Sequence, residues 1–265
     1  MLFLSLKIQI NRMKKKRLVV IGGGAAGFFC AVNAARMDPL LEVIIVERSN
    51  KVLGKVRISG GGRCNVTHAC FSITDMVKKY PRGASFLKKA FHHFFTTDTV
   101  EWFKERGVIL KTEADGRMFP VTDSSQTIID CFIKEINQHS IPIQFNKIVE
   151  KITREDSGFV VHCNNQFKVH ADAVCIASGG NSIANILVDL PHEIAPLVPS
   201  LFTFNMPGEA ITKLQGIVVK GAAIKISGTK LSQQGDVLIT HWGLSGPAIL
   251  KLSAWAAREL HDCNY

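Results

Sequence analysis

The sequence predicts an α/β fold followed by a smaller β-rich domain, and three observations lead to this prediction. The apolar run 17–21 passes into the glycine-rich turn 22–27 and then into a helical stretch. A second apolar run, 43–46, ends at Glu47. A strand, a crossover helix and a second strand are typical of the start of a parallel sheet. After Pro199, in contrast, short strands alternate with glycine turns, which indicates a small β-rich domain.

The glycine-rich turn fits the pattern G-x-G-x-x-G of a dinucleotide-binding βαβ unit, and an acidic residue follows its last glycine by 20 positions. Its three glycines are expected to permit the tight turn, the approach of a pyrophosphate and the packing of helix on strand. The first helical turn offers free N–H groups and the positive end of the helix dipole to phosphates. The carboxylate of Glu47 can accept a hydrogen bond from a ribose hydroxyl. The candidate cofactor-binding residues here are Gly22, Gly24, Ala25, Ala26, Gly27, Glu47 and its neighbour Arg48.

The order of the predicted elements divides the chain. Residues 1–16 are predicted to be an N-terminal extension, and residues 17–195 a Rossmann-like dinucleotide-binding domain with a helical insertion at about 71–106. Residues 196–265 form the β-rich domain. Within this scheme the sequence predicts a glycine-rich loop at 54–65, a helix at 124–139, one strand at 143–153, a hairpin around Asn164–Asn165, and strands at 173–177, 217–226 and 236–240.

The composition indicates the class of protein to which the chain belongs. The chain has 265 residues, of which 46% are apolar, and no apolar stretch approaches the roughly 20 residues of a membrane span. Its seven cysteines are odd in number and contain no C-x-x-C pair, which predicts reduced thiols and a cytoplasmic protein. No Cys/His cluster has the spacing of a zinc site, so no metal is expected.

The chain is strongly basic, with a formal net charge of +10. Lys78, Lys79, Arg82, Lys88 and Lys89 form a cluster within it. One interpretation is a solvated basic surface together with affinity for a phosphate-bearing cofactor. The other is a polyanionic partner such as RNA, although no RNA-binding signature accompanies the charge.

Two further glycine-rich segments are candidates for walls of the cofactor site. In the segment 58–65, three consecutive glycines let the backbone pass close to a flat or phosphorylated ligand. The segment 177–180 ends a predicted strand, where ligands of open α/β sheets bind. Each segment alone is also compatible with a simple turn. The candidate cofactor-binding residues added here are Lys55, Gly61, Gly62, Arg63, Cys64, Asn65, Ala177, Ser178, Gly179 and Gly180.

Five segments in this order resemble one family. They are G-G-G-A-A-G at 22–27, I-S-G-G-G-R-C-N at 58–65, G-R-M-F-P at 116–120, A-S-G-G at 177–180 and T-H-W-G-L-S-G-P at 240–247. Together they resemble the BaiN/RdsA-like NAD(P)/FAD-dependent oxidoreductases, flavoproteins with two dinucleotide-binding-domain motifs. The resemblance spans almost the whole chain.

The resemblance implies a cofactor and a reaction. It implies FAD in the first site, with Gly61 to Asn65 near the flavin and the backbone of Val149 near the adenine. It also implies NAD(P)H as the electron donor and hydride transfer through FAD to an unsaturated substrate. The implied substrate is either a uridine of ribosomal RNA or a small molecule of the steroid or bile-acid type, and the basic charge favours RNA.

Two departures from the family pattern lead to an alternative. Chains of the family continue past the position of Tyr265 with a G-E-x-x-D-like segment, and the stretch after Gly180 is shorter here. The sequence therefore predicts an incomplete cofactor site and weak or absent FAD binding by this chain alone. The alternative function is a truncated, non-catalytic remnant of such a flavoprotein.

Cys64 and Arg63 are the candidate catalytic residues. Cys64 is separated from Cys70 by five residues, which is one more than in the C-x-x-x-x-C of related disulfide reductases, so a thiol near the flavin is favoured over a working dithiol. Arg63 is expected either to stabilise a reduced flavin or a substrate phosphate, or only to brace its loop. His241, within a glycine–proline turn, is expected to be structural.

Overall fold

The computed structural model describes residues 15–180 and 186–265, which group into two compact units. The first unit contains the described residues up to Ile73 and those of the segment Ala90–Glu193. The second contains Thr74–Lys89 and Ile194–Tyr265. Part of the expected helical insertion thus belongs with the β-rich region. Most of the expected N-terminal extension, and residues 181–185 of the shortened stretch, lie outside the described residues.

The first unit is built on a parallel sheet of four strands in the order β10-β1-β2-β6. The central strands are apolar and buried, as expected for a sheet that is covered on both faces. Helices pack against one face and an antiparallel sheet packs against the other. The predicted α/β fold is confirmed. The elements are β1 (Arg17–Ile21), α1 (Ala25–Met37), β2 (Glu42–Val46), β6 (Ile143–Gln144) and β10 (Ala173–Ile176).

The remaining elements before β10 follow β2 in sequence, and α3 and α4 among them fall mostly within the segment 74–89 of the second unit. Two small antiparallel sheets have the orders β3-β5-β4 and β7-β8-β9. The hairpin predicted around Asn164–Asn165 is confirmed, as are a helix at 124–139 and helices within 71–106. The elements are α2 (Gly54–Gly62), β3 (Thr67–His68), α3 (Ile73–Val77), α4 (Ala84–Phe91), α5 (Thr96–Lys104), β4 (Leu110–Thr112), β5 (Arg117–Pro120), α6 (Ser125–Gln138), β7 (Val149–Glu155), β8 (Gly158–Cys163) and β9 (Lys168–Ala171).

Two sequence expectations were wrong in detail. The stretch 54–65 is not a loop throughout, because its first residues form a helical turn before the glycines begin. The stretch 143–153 is two strands, β6 and β7, rather than one. Asn146 interrupts it with φ 56°, a left-handed conformation that Asn tolerates and a strand does not.

The second unit contains an antiparallel sheet in the order β11-β14-β13-β12. This confirms the predicted β-rich region, although a helix at its end was not predicted. Arg82 Nη1 donates to the carbonyl oxygen of Ala254 at 3.0 Å, which links the segment 74–89 to that helix. The elements are β11 (Phe204–Asn205), a 3₁₀ turn (Ala210–Leu214), β12 (Val218–Lys225), β13 (Ser232–Thr240), β14 (Gly243–Ser245), α7 (Pro247–Trp255) and α8 (Ala257–Asp262).

A search of the described helices for membrane spans finds none with the necessary length and apolarity.

Candidate cofactor site

The predicted site segments meet at one edge of the parallel sheet. The last residue of β1, Ile21, is in register with Val46 of β2 and Ile176 of β10. The Gly22 N–H donates to the Val46 carbonyl and the Ala177 N–H donates to the Ile21 carbonyl, both at 2.8 Å. The glycine-rich turn, the acidic strand end and the A-S-G-G segment therefore leave the sheet side by side, where open α/β sheets bind ligands.

The glycines of the turn differ in what surrounds them. A Cβ on Gly22, which has φ 113°, would lie 2.4 Å from the Ala177 oxygen. A Cβ on Gly27 would lie 1.9 Å from the Gly22 oxygen, so α1 packs directly on the turn. A Cβ on Gly24 would meet no described atom within 4 Å. Gly24 is the N-cap of α1 and no side chain caps that helix, so open space adjoins a helix N-terminus.

Glu47 is held against the turn rather than pointing freely. Its Oε2 accepts a hydrogen bond from the Gly23 N–H at 2.7 Å. Its Oε1 accepts from the N–H and the hydroxyl of Ser49, at 2.9 and 2.8 Å. Each carboxylate oxygen has two lone pairs, so capacity remains for a ribose hydroxyl. Sequence reasoning missed Ser49, although a serine two residues after an acidic side chain is a pattern typical of such local hydrogen bonds.

A first cavity, of about 100 Å³, opens beyond β1 and β2. Five of the predicted cofactor residues line it. The Oγ atom of Ser178 is buried there without a hydrogen-bond partner among the described residues. Since buried hydroxyls are normally paired, this atom is a candidate ligand contact. The five predicted residues are Gly22, Glu47, Arg48, Val149 and Ser178.

A second cavity, of about 480 Å³, lies beside the start of α1. Its polar side contains Lys55, whose Nζ lies 3.8 Å from the position of a Cβ on Gly179. Its other side is apolar and largely aromatic, which suits a flat ring. The predicted residues on its wall are Ala25, Ala26, Lys55, Cys64 and Asn65, and the apolar wall includes Phe29, Phe94, Phe103, Ile128 and Phe132.

The segment 58–65 reaches this cavity through an irregular backbone. The helix α2 loses helical geometry at Ser59, and Gly60, Gly61 and Gly62 follow with φ of 56°, 69° and 85°. A Cβ on Gly61 or Gly62 would meet nothing within 4 Å. This part of the backbone is therefore open on one side, but Gly61 and Gly62 line neither cavity, and their role as a wall of the site stays a prediction.

Comparison with known proteins identifies the family. Residues 16–189 match the family described as HI0933-like protein Rossmann domain, and residues 198–265 match the HI0933-like protein barrel and H2TH domain. The chain belongs to the HI0933-like family. This confirms the resemblance that the sequence motifs indicated.

Curated relatives of this HI0933-like chain carry two different names. It is 25% identical over 257 residues to the 3-dehydro-bile acid delta(4,6)-reductase of Clostridium scindens, covering 93% of this chain and 62% of the relative. It is 28% identical over 268 residues to the ribosomal RNA dihydrouridine synthase of Escherichia coli, covering 95% and 64%. The chain thus spans about three fifths of the length of these relatives.

Solved structures that it matches include the open conformation of a flavocytochrome c3 fumarate reductase. The sequence identity is 22%, the TM-score is 0.49, and the match covers 63% of this chain and 34% of the other.

Cys64 of the HI0933-like chain is a buried thiol on the wall of the second cavity. Burial raises its pKa above the ordinary value, and a hydrogen bond with Ser59 opposes the shift. The thiol is therefore protonated near neutral pH and suits a proton donor better than a thiolate nucleophile. Cys70, the partner considered for a dithiol, is also a free thiol, as are all seven cysteines.

Arg63 is engaged in contacts with its own surroundings. Its Nη1 lies 2.5 Å from Glu113 Oε1 and 3.6 Å from Asp123 Oδ1, and its guanidinium stacks 4.1 Å from the centroid of the Phe119 ring. Asp123 also pairs with Lys111. Arg63 does not line either of the two cavities. These contacts match the alternative in which Arg63 only braces its loop. The catalytic role predicted for Arg63 stays a prediction.

The last two predicted residues, Gly179 and Gly180, are exposed at the end of the described part of their segment. Among the described residues, no group of three His, Cys, Asp or Glu side chains is arranged to hold a metal ion.

Proposed function

We propose that this HI0933-like chain binds FAD across the two cavities and takes part in the NAD(P)H-dependent reduction of an unsaturated substrate. The observation that carries the proposal is the open space at Gly24, beside a helix N-terminus that no described side chain caps. The same turn contacts Glu47 through Gly23 and lies against Ser178 at Gly22, and the Ser178 hydroxyl has no hydrogen-bond partner among the described residues. A pyrophosphate fits the free N–H groups at such a helix end. The names of the curated relatives, a reductase and a dihydrouridine synthase, agree with this reaction class.

Each cavity offers groups for one part of the cofactor. In the first, Glu47 accepts ribose hydroxyls and the backbone of Val149 lies along the adenine. In the second, the ammonium of Lys55 balances phosphate charge, and the apolar wall excludes water from a flat ring. The Cys64 thiol holds a proton near that ring. Bound FAD supplies the hydride transfer between donor and substrate.

The purified chain, titrated with FAD, tests this proposal. Because the sequence predicts an incomplete site, we expect the binding to be weak but saturable, with quenched flavin fluorescence, a perturbed absorbance spectrum and competition by ADP. Riboflavin, which lacks both the pyrophosphate and the adenosine, is expected to bind far more weakly. If FAD and riboflavin bind alike, or neither binds, the assignment of the two cavities to FAD is wrong.

For the substrate, charge favours ribosomal RNA over a steroid-like enone. The second unit contains eleven Lys and Arg residues but only five Asp and Glu residues. Its segment 74–89 exposes Lys78, Lys79, Lys88 and Lys89. Such a surface binds phosphate backbones through release of counterions. The enone remains the second candidate because the apolar wall of the second cavity suits a hydrophobic small molecule.

A charge-matched pair of double variants separates the two substrates. We expect Lys88→Gln with Lys89→Gln to weaken binding to a ribosomal RNA fragment and to reduce the slope of log K against log salt by about 2. Lys134→Gln with Arg154→Gln removes the same charge from the first unit and is expected to change the slope little. Reoxidation of the reduced flavin by a small enone, with no RNA binding at moderate salt, would support the enone instead.

A further inference from the structure

Two cysteines that the proposed chemistry does not use, Cys30 and Cys175, lie together where α1 packs on β10. Cys175 is in register with Val20 of the neighbouring parallel strand, so the two side chains lie on the same face of the sheet. Val20 lies under α1, because a Cβ on Gly27 would be 3.4 Å from its Cγ1. Cys30 follows Gly27 by three residues and so lies on the same side of the helix, about one turn further along.

The Cys30 and Cys175 thiols lie close enough for each to shift the pKa of the other. Both side chains pack at the border of the same apolar core, and both are half-buried rather than sealed inside it. In the described sheet β10 is an edge strand, and the Cys175 side chain on it is partly exposed. Cys131 and Cys163 differ, because both are buried.

The two sulfurs differ in acidity. The interaction with Cys30 lowers the pKa of Cys175 to about 7, against the opposing effect of burial. The same interaction raises the pKa of Cys30 above its ordinary value. Cys175 is therefore the sulfur that becomes a thiolate, and the thiolate is the form that attacks an oxidant. Cys30 stays protonated.

We propose that Cys30 and Cys175 are an oxidisable dithiol that hydrogen peroxide converts into an intramolecular disulfide joining α1 to β10. The Cys175 thiolate attacks one peroxide oxygen, the O–O bond breaks, and the released hydroxide takes up a proton to form water. The sulfur of Cys30 then attacks the resulting sulfenic acid, and its proton leaves with the hydroxyl group as a second water. Two thiols are oxidised by two electrons, and one peroxide is reduced to two waters.

This disulfide would connect the two elements that lead into the cofactor site. The helix α1 begins at the glycine-rich turn, and β10 runs into the segment containing Ser178. The inference concerns only these two sulfurs and does not depend on FAD binding.

Peptide mapping of the intact chain tests the proposal. The reduced protein is treated with peroxide, the remaining thiols are alkylated under denaturing conditions, and the digest is analysed by mass spectrometry. We expect a cross-linked pair of peptides containing Cys30 and Cys175, with both sulfurs protected from alkylation. Reduction with dithiothreitol should restore both.

Single variants identify the attacking sulfur. In Cys30→Ser, we expect Cys175 to accumulate as a sulfenic acid that dimedone traps. In Cys175→Ser, no such adduct should form at Cys30. Cys263→Ser removes an exposed thiol elsewhere and should leave the cross-link unchanged. The peptide map of the peroxide-treated chain without substitutions decides the question even if a variant does not fold. The proposal is overturned if both sulfurs remain open to alkylation after peroxide, or if either is found joined to another cysteine.

Discussion

The glycine-rich turn 22–27 and the glycine-rich run 60–62 have similar composition but different structural reasons for glycine. In the turn, Gly22 and Gly27 are required because backbone atoms lie where a Cβ would be. In the run, Gly61 and Gly62 face open space and are required by their positive φ instead. Gly60 is the exception in the run, since a Cβ there would lie 2.9 Å from the Asn65 nitrogen. Gly24 belongs to neither group, since it has ordinary φ and open surroundings.

This difference separates the residues that maintain the fold from those that, under the proposed function, admit a ligand. Substituting a glycine that is packed against backbone changes stability as well as any ligand binding, because any side chain displaces a strand or a helix. A glycine beside open space can be changed while the fold is retained. Gly24 and Gly61 are therefore the positions at which ligand binding and stability can be measured separately.

The largest effect on the fold is expected for Gly27→Ala. Its Cβ would lie 1.9 Å from the Gly22 carbonyl oxygen, so α1 must move away from β1. We expect the free energy of unfolding, measured with urea, to fall by about 1–3 kcal/mol or more, as for overpacked cores. Gly54→Ala is the control, because Gly54 begins α2 with open space around it, and it should be neutral or slightly stabilising. Equal stability of the two variants would contradict the packing argument.

Gly24→Ser should show the reverse pattern, with FAD binding lost and stability kept. Serine is a favourable N-cap, so the unfolding midpoint should stay the same or rise slightly. Its side chain would occupy the open space and compete for the N–H groups of the first helical turn. We expect FAD affinity, measured by fluorescence titration, to fall at least tenfold. Unchanged affinity would mean that no pyrophosphate binds at this helix end.

Gly61→Ala should have a smaller effect on both properties. The backbone at Gly61 has φ 69°, and a side chain in this conformation costs about 1–2 kcal/mol. Gly208→Ala is a matched control, since Gly208 also has positive φ and open surroundings but lies in the second unit. The two variants should lose similar stability, and only Gly61→Ala should weaken FAD binding. Weakening by both would show that the ligand does not contact this run specifically.

The sequence predicted most of the parallel sheet because the signals there are local. An apolar run, three spaced glycines and an acidic strand end identify the first βαβ unit without knowledge of distant contacts. The break at Asn146 was not predictable, since β6 and β7 pair with different sheets. The start of α5 was not predictable in detail either, because the Asp98 carboxylate accepts a hydrogen bond from the Phe95 N–H from within the first turn of the helix.

The site was predictable to a similar degree. Periodicity and spacing identified the segments, and the parallel register then placed their ends together. The partners of individual side chains were not predictable, because they come from distant parts of the chain. Arg63 meets Glu113 fifty residues away, and Cys30 meets Cys175 where α1 packs on β10. Ser49 is an exception, since its contact with Glu47 is local and the sequence contained the signal.

The smallest effect is expected for Ser49→Ala, which tests how the turn holds its acidic residue. The variant removes one hydroxyl hydrogen bond to Glu47 Oε1 but leaves the bonds from the Ser49 and Gly23 N–H groups. A lost hydrogen bond to a carboxylate of this kind is worth about 1 kcal/mol, which corresponds to about fivefold in affinity. We expect this loss for FAD and for ADP, which contain the adenosine ribose, but not for FMN. An equal loss for FMN would mean that Ser49 stabilises the site as a whole rather than orienting Glu47.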